Sequence, residues 1–410
     1  MELLTIFYFV YSFIAFYFLI MYCLLYIKNR KNIFESPKTE NKRNLTIVIP
    51  CYNEQESVGQ TIECFLKSDY PYLKKIIIVD DCSKDKSYEV IKKYEQKYPD
   101  LILALQTPKN TGKAAGSKNY GLNFVKTELV GFSDSDSMPK KDAITKMIGF
   151  FDDQSVGGVT SRVLVKDKTN FLESLQSIEY KVIAFTRKLM GFIDSIYVTT
   201  GPLSIYRTKI IKDDLGGFDE NNLTEDIELT WHVVKSGWRV EMSMNSLVYT
   251  YVPKTMKVWF KQRIRWNVGG MQTVKKYLPS IHKTGFLGRF IIPFFLLSWF
   301  IGLSGLFVIG YRYSREIFIK YMSTYLSTKS EIAIISFRDL AINPTVLFFL
   351  GIILFVLGLS FMFASLIYSK EDGYTYALHE IFIYSFFYVV LYPAILITSL
   401  FNFLRGYNKW

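Results

Sequence analysis

Uncharged, apolar runs lie at both ends of the chain. The first extends from Leu3 to Ile27, and three more extend from Phe290 to Tyr311, from Leu340 to Ser369 and from Ile381 to Leu404. A helix that crosses a bilayer needs about 20 mostly apolar residues, so each run is long enough. The pattern therefore predicts one N-terminal and three C-terminal transmembrane helices.

The N-terminal apolar run is followed, not preceded, by basic residues. Lys28, Arg30 and Lys31 come directly after it, whereas a cleavable signal peptide would begin with basic residues and have a shorter apolar core. Membrane-flanking segments rich in Lys and Arg stay in the cytoplasm. We therefore expect an uncleaved anchor with its N-terminus outside, a cytoplasmic domain after it, and a C-terminus outside. The loop from Arg312 to Asp339 would then lie outside, although it carries several basic residues.

Between the membrane runs, short apolar segments alternate with amphipathic ones. The stretches from Gln55 to Leu66 and from Ser83 to Tyr98 have the pattern of helices. Strands that alternate with helices form βαβ units, so the pattern predicts an α/β fold with a mixed, mostly parallel sheet. Four strands are predicted, at Leu45–Pro50, Lys75–Asp80, Leu101–Leu105 and Leu129–Phe132.

A further amphipathic helix is predicted between Phe171 and Met190, where Leu172, Leu175, Ile178 and Val182 recur at helical spacing. We expect it to lie at the membrane surface. The predicted organisation is an N-terminal transmembrane helix in residues 1–28, a cytosolic domain in 29–254, an interfacial helix segment in 255–287 and a three-helix membrane region in 288–410.

Composition agrees with a membrane-attached domain. The chain has 410 residues, of which 50% are hydrophobic and 17% aromatic, which excludes a disordered protein. The 21% of charged residues exclude a protein that lies wholly in lipid. A net charge of +12 fits nucleic acid, a membrane surface or a phosphate-bearing substrate. No nucleic-acid motif is present, so the last two are favoured.

Cysteine and histidine give no sign of a metal or redox centre. The four cysteines include no C-x-x-C spacing, and the three histidines are scattered along the chain. Neither a zinc site, a redox motif nor a histidine metal cluster is therefore expected.

Acidic residues follow the predicted strands, at the edge where α/β sheets bind ligands. Glu54 and Asp81 follow the first two strands, and Asp134 and Asp136 follow the fourth. Carboxylates two residues apart can hold Mg²⁺, which takes one or two carboxylates together with substrate phosphates. Lys113 opens a helix, whose N-terminus favours phosphate. The alternative is that these acids, Asp81 above all, only form turns or cap helices.

A second acidic cluster, Thr224-Glu225-Asp226, stands just before a helical pattern that ends at Lys235. One interpretation is structural: Thr224 caps the helix, and the acids interact favourably with its dipole. The other is that a carboxylate here acts on a substrate. The sequence pattern alone leaves both open.

The segment Gln262-Arg263-Ile264-Arg265-Trp266 combines an amide, two guanidinium groups and an indole in about one helical turn. Arginine binds phosphate through two parallel hydrogen bonds, and tryptophan offers a flat apolar face to a sugar ring. The alternative is an amphipathic helix at the membrane surface, and both can hold together. Its apolar stripe would consist of Met256, Trp259, Phe260, Met271 and Val274.

Taken in order, these motifs resemble the processive branch of the family 2 inverting glycosyltransferases, which includes cellulose, chitin, hyaluronan and poly-N-acetylglucosamine synthases. The resemblance covers about Asn44 to Thr273 and implies a cytosolic GT-A-type domain flanked by transmembrane and interfacial helices. It rests on Ile49-Pro50-x-Tyr52-Asn53-Glu54, Asp80-Asp81, Asp134-x-Asp136, Gly201-Pro202-Leu203-Ser204-x-Tyr206-Arg207, Thr224-Glu225-Asp226 and Gln262-x-x-Arg265-Trp266.

The resemblance implies a role for each residue. Asp226 is the expected general base, which takes the proton from the acceptor hydroxyl, and Asp136 the expected ligand of Mg²⁺ or Mn²⁺. The expected donor-binding residues are Tyr52, Glu54, Asp81, Lys113, Asp134 and Arg265. The expected acceptor-binding residues are Glu225, Gln262, Trp266, Gly201 and Pro202.

The implied activity is that of a metal-dependent hexosyltransferase in the plasma membrane. It would transfer a sugar, N-acetylglucosamine, from a UDP-sugar to a growing polysaccharide and help to extrude the polymer, with a small membrane subunit or a second copy as a further partner. Alternatives are the synthesis of hyaluronan or another hexose polymer, and a single transfer to a polyprenyl-phosphate or other lipid acceptor. Enzymes of that last kind typically lack Gln-x-x-Arg-Trp. A polysaccharide path lined by membrane tyrosines, among them Tyr388 and Tyr392, is a further hypothesis.

Overall fold

One mixed sheet forms the centre of the computed structural model, which describes residues 3–283, 285–330, 346–368 and 376–407. In this part of the chain the sheet has eight strands in the order β3-β2-β1-β4-β7-β6-β8-β5. The strands are β1 (Leu45–Cys51), β2 (Leu73–Asp80), β3 (Ile102–Gln106), β4 (Leu129–Phe132), β5 (Ser137–Pro139), β6 (Val156–Val165), β7 (Ser204–Arg207) and β8 (Arg239–Thr250).

The first half of the sheet is parallel, as the sequence pattern predicts. β1 pairs in parallel with β2 and β4, and β2 pairs in parallel with β3. These strands are rich in Ile, Val and Leu because helices cover both of their faces. The helices of the domain are α2 (Val58–Leu66), α3 (Ser87–Lys97), α4 (Ala114–Leu122), α5 (Thr145–Ile148), α6 (Phe171–Gly191), α7 (Glu225–Lys235) and α8 (Met256–Tyr277).

Helices α2 and α3 begin three and four residues later than the sequence pattern predicts. The loops before them are held in non-helical conformations by hydrogen bonds between the two loops. The backbone N–H of Gln55 donates to Asp85, and the backbone N–H of Lys86 donates to the Gln55 side chain, at 3.1 and 3.0 Å. Side chains that bond backbone groups in this way compete with helix formation.

The second half of the sheet is mixed. β7 runs antiparallel to β4 and β6, and β8 runs parallel to β6 and antiparallel to β5. Helix α6 packs on β6 and β8. It begins with a capping box, in which Asn170 and Glu173 each accept a hydrogen bond from the other's backbone N–H. The helix predicted from Phe171 to Met190 is confirmed.

Four helices of the described residues are long and apolar enough to cross a membrane. They are α1 (Leu3–Asn29), α9 (Ile292–Ser330), α10 (Val346–Tyr368) and α11 (Leu378–Leu404). Their number and order confirm the prediction of one N-terminal and three C-terminal helices. The start of the third predicted run, residues 340–345, lies outside the described residues.

The prediction of a loop after Tyr311 is wrong as far as Ser330, because helix α9 continues to that residue. Residues 331–339 of the same predicted loop lie outside the described residues. An apolar run marks only the part of a helix suited to lipid. Arg, Glu and Lys beyond it are also good helix formers, and Arg312 and Glu316 form an ion pair one turn apart, at 3.9 Å.

The membrane helices pack directly on the domain. α1 packs on α10 and α6, and α11 packs on α8 and α6. The indole of Trp259 in α8 is fully buried against Phe387 and Tyr388 of α11, with ring centroids 5.3 and 5.8 Å apart. Helices α6 and α8 therefore connect the sheet domain to the membrane helices.

Candidate active site

The ends of β1, β2 and β4 border one cleft of about 480 Å³. Its volume is in the range of small-molecule binding sites. Helices α4, α6, α7 and α8 contribute to its walls. The structure brings every residue predicted for the site into the lining of this cleft: Tyr52, Glu54, Asp81, Lys113, Asp134, Asp136, Gly201, Pro202, Glu225, Asp226, Gln262, Arg265 and Trp266.

Asp81 fixes a loop at the floor of the cleft. Its carboxylate accepts hydrogen bonds from the Thr107 hydroxyl at 2.8 Å and from the backbone N–H and hydroxyl of Thr111 at 3.0 and 2.9 Å. Helix α3 begins only at Ser87, and the turn after β2 is closed by Asp80, which accepts from the N–H of Ser83 at 3.1 Å. Asp81 is therefore neither a helix cap nor the residue that closes this turn.

Glu54 and Lys113 both line this cleft, one after β1 and the other directly before α4. Burial raises the pKa of Glu54, and the charge of Asp134 adds to the rise. Burial lowers the pKa of Lys113, whose ammonium group donates to the backbone carbonyl of Asn221 at 3.1 Å. Lys113 is the residue directly before α4, as the sequence pattern predicts.

Asp134 and Asp136 place two carboxylates on one short loop after β4. Burial raises the pKa of Asp136 to about 7, and the charges of Asp134 and Glu54 contribute to the rise. Carboxylates crowded in this way are stabilised by a cation. No group of three or more His, Cys, Asp or Glu side chains that could hold a metal ion occurs in the described part of the chain. The acids fit Mg²⁺ or Mn²⁺ only if phosphate and water supply the other ligands.

Gly201 allows the backbone to approach the Asp134 carboxylate closely. A Cβ atom at Gly201 would lie 2.4 Å from Oδ2 and 2.9 Å from Oδ1 of Asp134. Any side chain here would displace the carboxylate or the backbone. The glycine of the Gly201-Pro202 pair is thus explained by the position of Asp134.

Lys118 is a residue of the site that the sequence reasoning missed. Its ammonium group, almost wholly buried, donates to Glu225 Oε1 at 2.8 Å and lies 3.9 Å from Asp134 Oδ1. Burial alone would lower the pKa of Lys118, but the charges of Glu225 and Asp134 raise it. In turn, the charge of Lys118 lowers the pKa of Glu225 against the effect of burial. A lysine in the middle of a short helix gave no signal, because such residues are usually exposed.

Asp226 lies in the first turn of α7. Burial raises its pKa to about 6, and the neighbouring charge of Glu225 adds to the rise, while Lys118 opposes it. Its Oδ1 accepts from the N–H of Ile227 at 2.9 Å. Thr224 does not cap the helix with its side chain, since its hydroxyl donates to Asn222 at 3.3 Å. A half-buried carboxylate with this pKa, in the lining of a cleft, suits a general base that works near neutral pH.

Helix α8 presents Gln262, Arg265 and Trp266 to the cleft. Burial raises the pKa of Asp134, and the positive charges of Lys118 and Arg265 oppose that rise. The same two charges, Lys118 more than Arg265, lower the pKa of Glu225 against the effect of burial. Of the predicted apolar stripe, α8 buries Trp259, Met271 and Val274, whereas Met256 is exposed. The two interpretations of this segment, a binding motif and an amphipathic helix, are therefore compatible in the structure.

Arg263, which lies between Gln262 and Arg265 in the sequence, packs against the ring of Trp266. Its guanidinium forms a buried ion pair with Glu179 of α6 and lies 4.2 Å from the centre of the Trp266 ring. The hydroxyl of Tyr388 in α11 donates to the same Glu179 at 2.6 Å, and that of Tyr392 donates to Asn267 at 3.4 Å. Both tyrosine hydroxyls therefore form hydrogen bonds with helices that line the cleft. Whether the rings line a polysaccharide path stays a prediction.

Helix α6 contributes a wall that the sequence reasoning did not assign to the site. Tyr180, Ile183, Ala184 and Arg187 line the cleft at the spacing of one helix face. The opposite face of the same helix carries the apolar residues that identified it. Tyr180 and Arg187 were visible in the sequence as polar positions of this helix, but only the packing of α6 shows that they face a cleft.

Sequence comparisons place the cleft within a known group of enzymes. A family model described as glycosyltransferase like family 2 matches residues 42–269. Poly-beta-1,6-N-acetyl-D-glucosamine synthase of Staphylococcus epidermidis is 29% identical over 261 residues, which are 63% of this chain and 62% of that protein. The probable glycosyltransferase YdaM of Bacillus subtilis is 29% identical over 300 residues, 71% of this chain and 68% of that protein. The matched segment thus spans less than two thirds of the synthase.

The fold has a solved counterpart. Mannosyltransferase PcManGT from Pyrobaculum calidifontis, determined with GDP-Man and Mn²⁺, matches with a TM-score of 0.56 and 16% sequence identity. The match covers 96% of this chain and 97% of that one. At this identity the likeness concerns the fold alone. It confirms the predicted GT-A-type domain with flanking apolar helices.

Proposed function

The chain belongs to the glycosyltransferase like family 2, and we propose that it is a processive inverting transferase that builds a polymer of N-acetylglucosamine from UDP-N-acetylglucosamine. The observation that carries the proposal is that three sets of residues line the same cleft. These are the carboxylate pair Asp134 and Asp136, the half-buried acid Asp226, and the arginine and tryptophan of α8. The relatives named as N-acetylglucosamine polymer synthases support the choice of sugar.

The donor would bind over the ends of the parallel strands. We assign Tyr52, Glu54 and Asp81 to the nucleoside, and Lys113 and Arg265 to the negative charge of the diphosphate. Asp136 would hold Mg²⁺ or Mn²⁺, with Asp134 close to the nucleotide. When bound, the metal would neutralise charge on the leaving diphosphate.

The acceptor would bind between α7 and α8. Asp226 accepts the proton of the acceptor hydroxyl as that oxygen attacks the anomeric carbon, so the leaving UDP departs from the opposite face and the configuration inverts. The indole of Trp266 offers a face to the acceptor sugar, and Gln262 and Glu225 offer hydrogen-bonding groups. Gly201 and Pro202 leave room for the acceptor beside Asp134.

We further propose that the domain, residues 29–254, lies in the cytoplasm of a multi-pass protein of the plasma membrane. The basic cluster after α1 supports this side. Residues 255–287 would lie at the interface, with residues 1–28 and 288–410 in the membrane. The polymer would leave through the membrane part, with a small membrane subunit or a second copy of the chain completing the path.

The test is product formation by membranes that contain the protein. They are incubated with a panel of radiolabelled UDP-sugars and Mn²⁺ or Mg²⁺, and any polymer is digested with linkage-specific glycosidases. We expect polymer from UDP-N-acetylglucosamine, and loss of it in Asp226→Asn. The control is Asp213→Asn, an exposed carboxylate outside the cleft.

Two results would contradict the proposal. Full activity in Asp226→Asn would exclude Asp226 as the base. Label found only in a lipid extract, as a single sugar on a lipid phosphate, would replace polymer synthesis by single transfer.

A further inference from the structure

Two arginines of the helices around the cleft are equally buried but differ in their partners. Arg263 and Arg187 are 5% and 6% exposed. Arg263 is paired with Glu179. The Nε of Arg187 has no hydrogen-bond partner among the described residues, and no ion pair found in that part of the chain includes its guanidinium. A buried charge without a partner is costly, so such a group is expected to meet a ligand.

Arg187 faces the cleft and not the interior of the domain. It lines the cleft at the end of the helical face that begins with Tyr180, about two turns along α6. The charged and ionisable groups that act on it are Tyr197, Asp226 and Tyr180. Its position is therefore beside the proposed base.

This end of the cleft is also the end next to the membrane helices. Tyr197 contacts Phe295 of α9, with ring centroids 5.5 Å apart. A product that grows toward the membrane would pass Arg187.

The chemistry of a guanidinium limits what it can bind. It remains charged in proteins and offers five N–H donors in a planar fork, but no acceptor. At the donor end, Lys113 and Arg265 already supply positive charge to the diphosphate. Beside Asp226, the ligand with several oxygens to accept hydrogen bonds is the acceptor sugar, through its hydroxyl and acetamido oxygens.

Building on the proposed function, we propose that Arg187 binds the terminal sugar of the growing chain and holds its hydroxyl against Asp226. The cleft-facing nitrogens of its guanidinium donate to oxygens of that sugar. Arg187 is then an acceptor-binding residue that α6 supplies, apart from the motifs of α7 and α8.

The experiment measures the KM for an acceptor and the affinity for the nucleotide separately. Purified protein in detergent receives UDP-N-acetylglucosamine, Mn²⁺ and increasing concentrations of a β-1,6-linked N-acetylglucosamine tetramer. The variants are Arg187→Gln, which keeps a donor without the charge, and Arg187→Lys, which keeps the charge without the fork. The Kd of UDP is measured on the same preparations by calorimetry.

We expect Arg187→Gln to raise the KM for the tetramer about tenfold or more, the effect of losing hydrogen bonds to a charged group. Arg187→Lys should raise it less, and the Kd of UDP should stay within twofold of the wild-type value. The control is Lys188→Met. Lys188 is 4% exposed on the same helix, but its ammonium group donates to the carbonyl of Met242 at 2.9 Å and does not line the cleft. Its loss should affect stability and leave the KM for the tetramer unchanged.

The outcomes separate the two proposals. A wild-type protein that forms no product from any UDP-sugar overturns the proposed function and the assignment of Arg187 with it. Product formation with an unchanged KM for the tetramer in both Arg187 variants overturns the assignment alone. So does a Kd of UDP that weakens as much as the KM for the tetramer rises, since Arg187 would then serve the diphosphate.

Discussion

The ammonium group of Lys118 lies 2.8 Å from Oε1 of Glu225, and both side chains are almost closed off from solvent. This pair joins α4 to the first turn of α7. Because Lys118 also lies 3.9 Å from Asp134, its buried ammonium group interacts with carboxylates on two sides of the cleft. Asp226 is left without an ion pair among the described residues, which is consistent with its raised pKa.

Replacing Lys118 by Met should therefore destabilise the protein and inactivate it. Removing one partner of a buried ion pair costs about 3–5 kcal/mol, because the other charge stays buried. The measurement is the midpoint of thermal unfolding of the purified protein in detergent, with transfer activity alongside. Lys118→Met combined with Glu225→Gln should recover part of the stability and none of the activity. A single variant as stable as the wild-type protein would contradict the role of the pair.

The rate of transfer should fall as the pH decreases through about 6. Asp226 must be deprotonated to act as the base, and its pKa is raised from the usual carboxyl range to about 6. Below that pH, kcat/KM should lose about a factor of ten per pH unit. Glu225→Gln removes a negative neighbour and frees Lys118, so the pKa of Asp226 and the acidic limb of the profile should move to lower pH. A limb that stays in place in this variant would show that another group titrates.

Gly201→Ala should weaken the use of the donor. The added methyl group would overlap the Asp134 carboxylate, so that carboxylate or the backbone must move. A shift of this size in a catalytic site costs about 10²-fold in rate, and we expect kcat/KM for UDP-N-acetylglucosamine to fall by at least tenfold. Gly270→Ala is the control, because a Cβ at Gly270 meets no atom within 4 Å. Equal kinetics in the two variants would remove the constraint that we assign to Gly201.

Activity should require a divalent cation, and Asp136 should determine how much is needed. Chelation with EDTA is expected to abolish transfer, and Mn²⁺ or Mg²⁺ to restore it. Asp136→Asn removes a charged oxygen ligand, so the Mn²⁺ concentration for half-maximal activity should rise by tenfold or more. Undiminished activity of the wild-type protein in EDTA would exclude a dissociable metal. An unchanged Mn²⁺ requirement in Asp136→Asn would place the metal elsewhere.

Tyr388→Phe should lower stability slightly and leave the length of the product unchanged. It removes only the hydroxyl that donates to Glu179, a hydrogen bond worth about 1.5–3 kcal/mol because its acceptor is charged. The ring, which packs on Trp259, is retained. Unfolding midpoints and the size distribution of the polymer test this. A shorter polymer from Tyr388→Phe would favour the hypothesis of a tyrosine-lined path.

The strand ends were predictable because local chemistry determines them. A run such as Leu45 to Cys51 is apolar except for Thr46, so it identifies a buried parallel strand, and Glu54 follows it in sequence. Parallel strands bring their carboxyl ends to one edge, so residues that are distant in sequence, Glu54 and Asp134, are predicted together. The resemblance in the motifs added the expected roles of the residues on α7 and α8.

The partners of Lys118 and the position of Arg187 at the cleft were not predictable in this way. Lys118 and Glu225 are 107 positions apart and meet only because the fold brings α4 and the first turn of α7 to the same cleft. Arg187 shares a face of α6 with Tyr180, Ile183 and Ala184, opposite the apolar residues that identified the helix, and the sequence pattern does not distinguish a face in water from one in a cleft. The end of α9 was missed for a related reason, since hydropathy reports lipid contact and not helix length.

The ion pair of Arg263 with Glu179, together with the hydroxyl of Tyr388, joins three helices that serve different parts of the protein. α6 and α8 carry cleft residues, and α11 is a candidate membrane span. Cutting the chain before α11 would uncover Trp259 and leave the Glu179 charge with one partner fewer. We therefore expect that the domain cannot be separated from α11, because that helix completes the packing around Trp259 and Glu179 on the two helices that line the cleft.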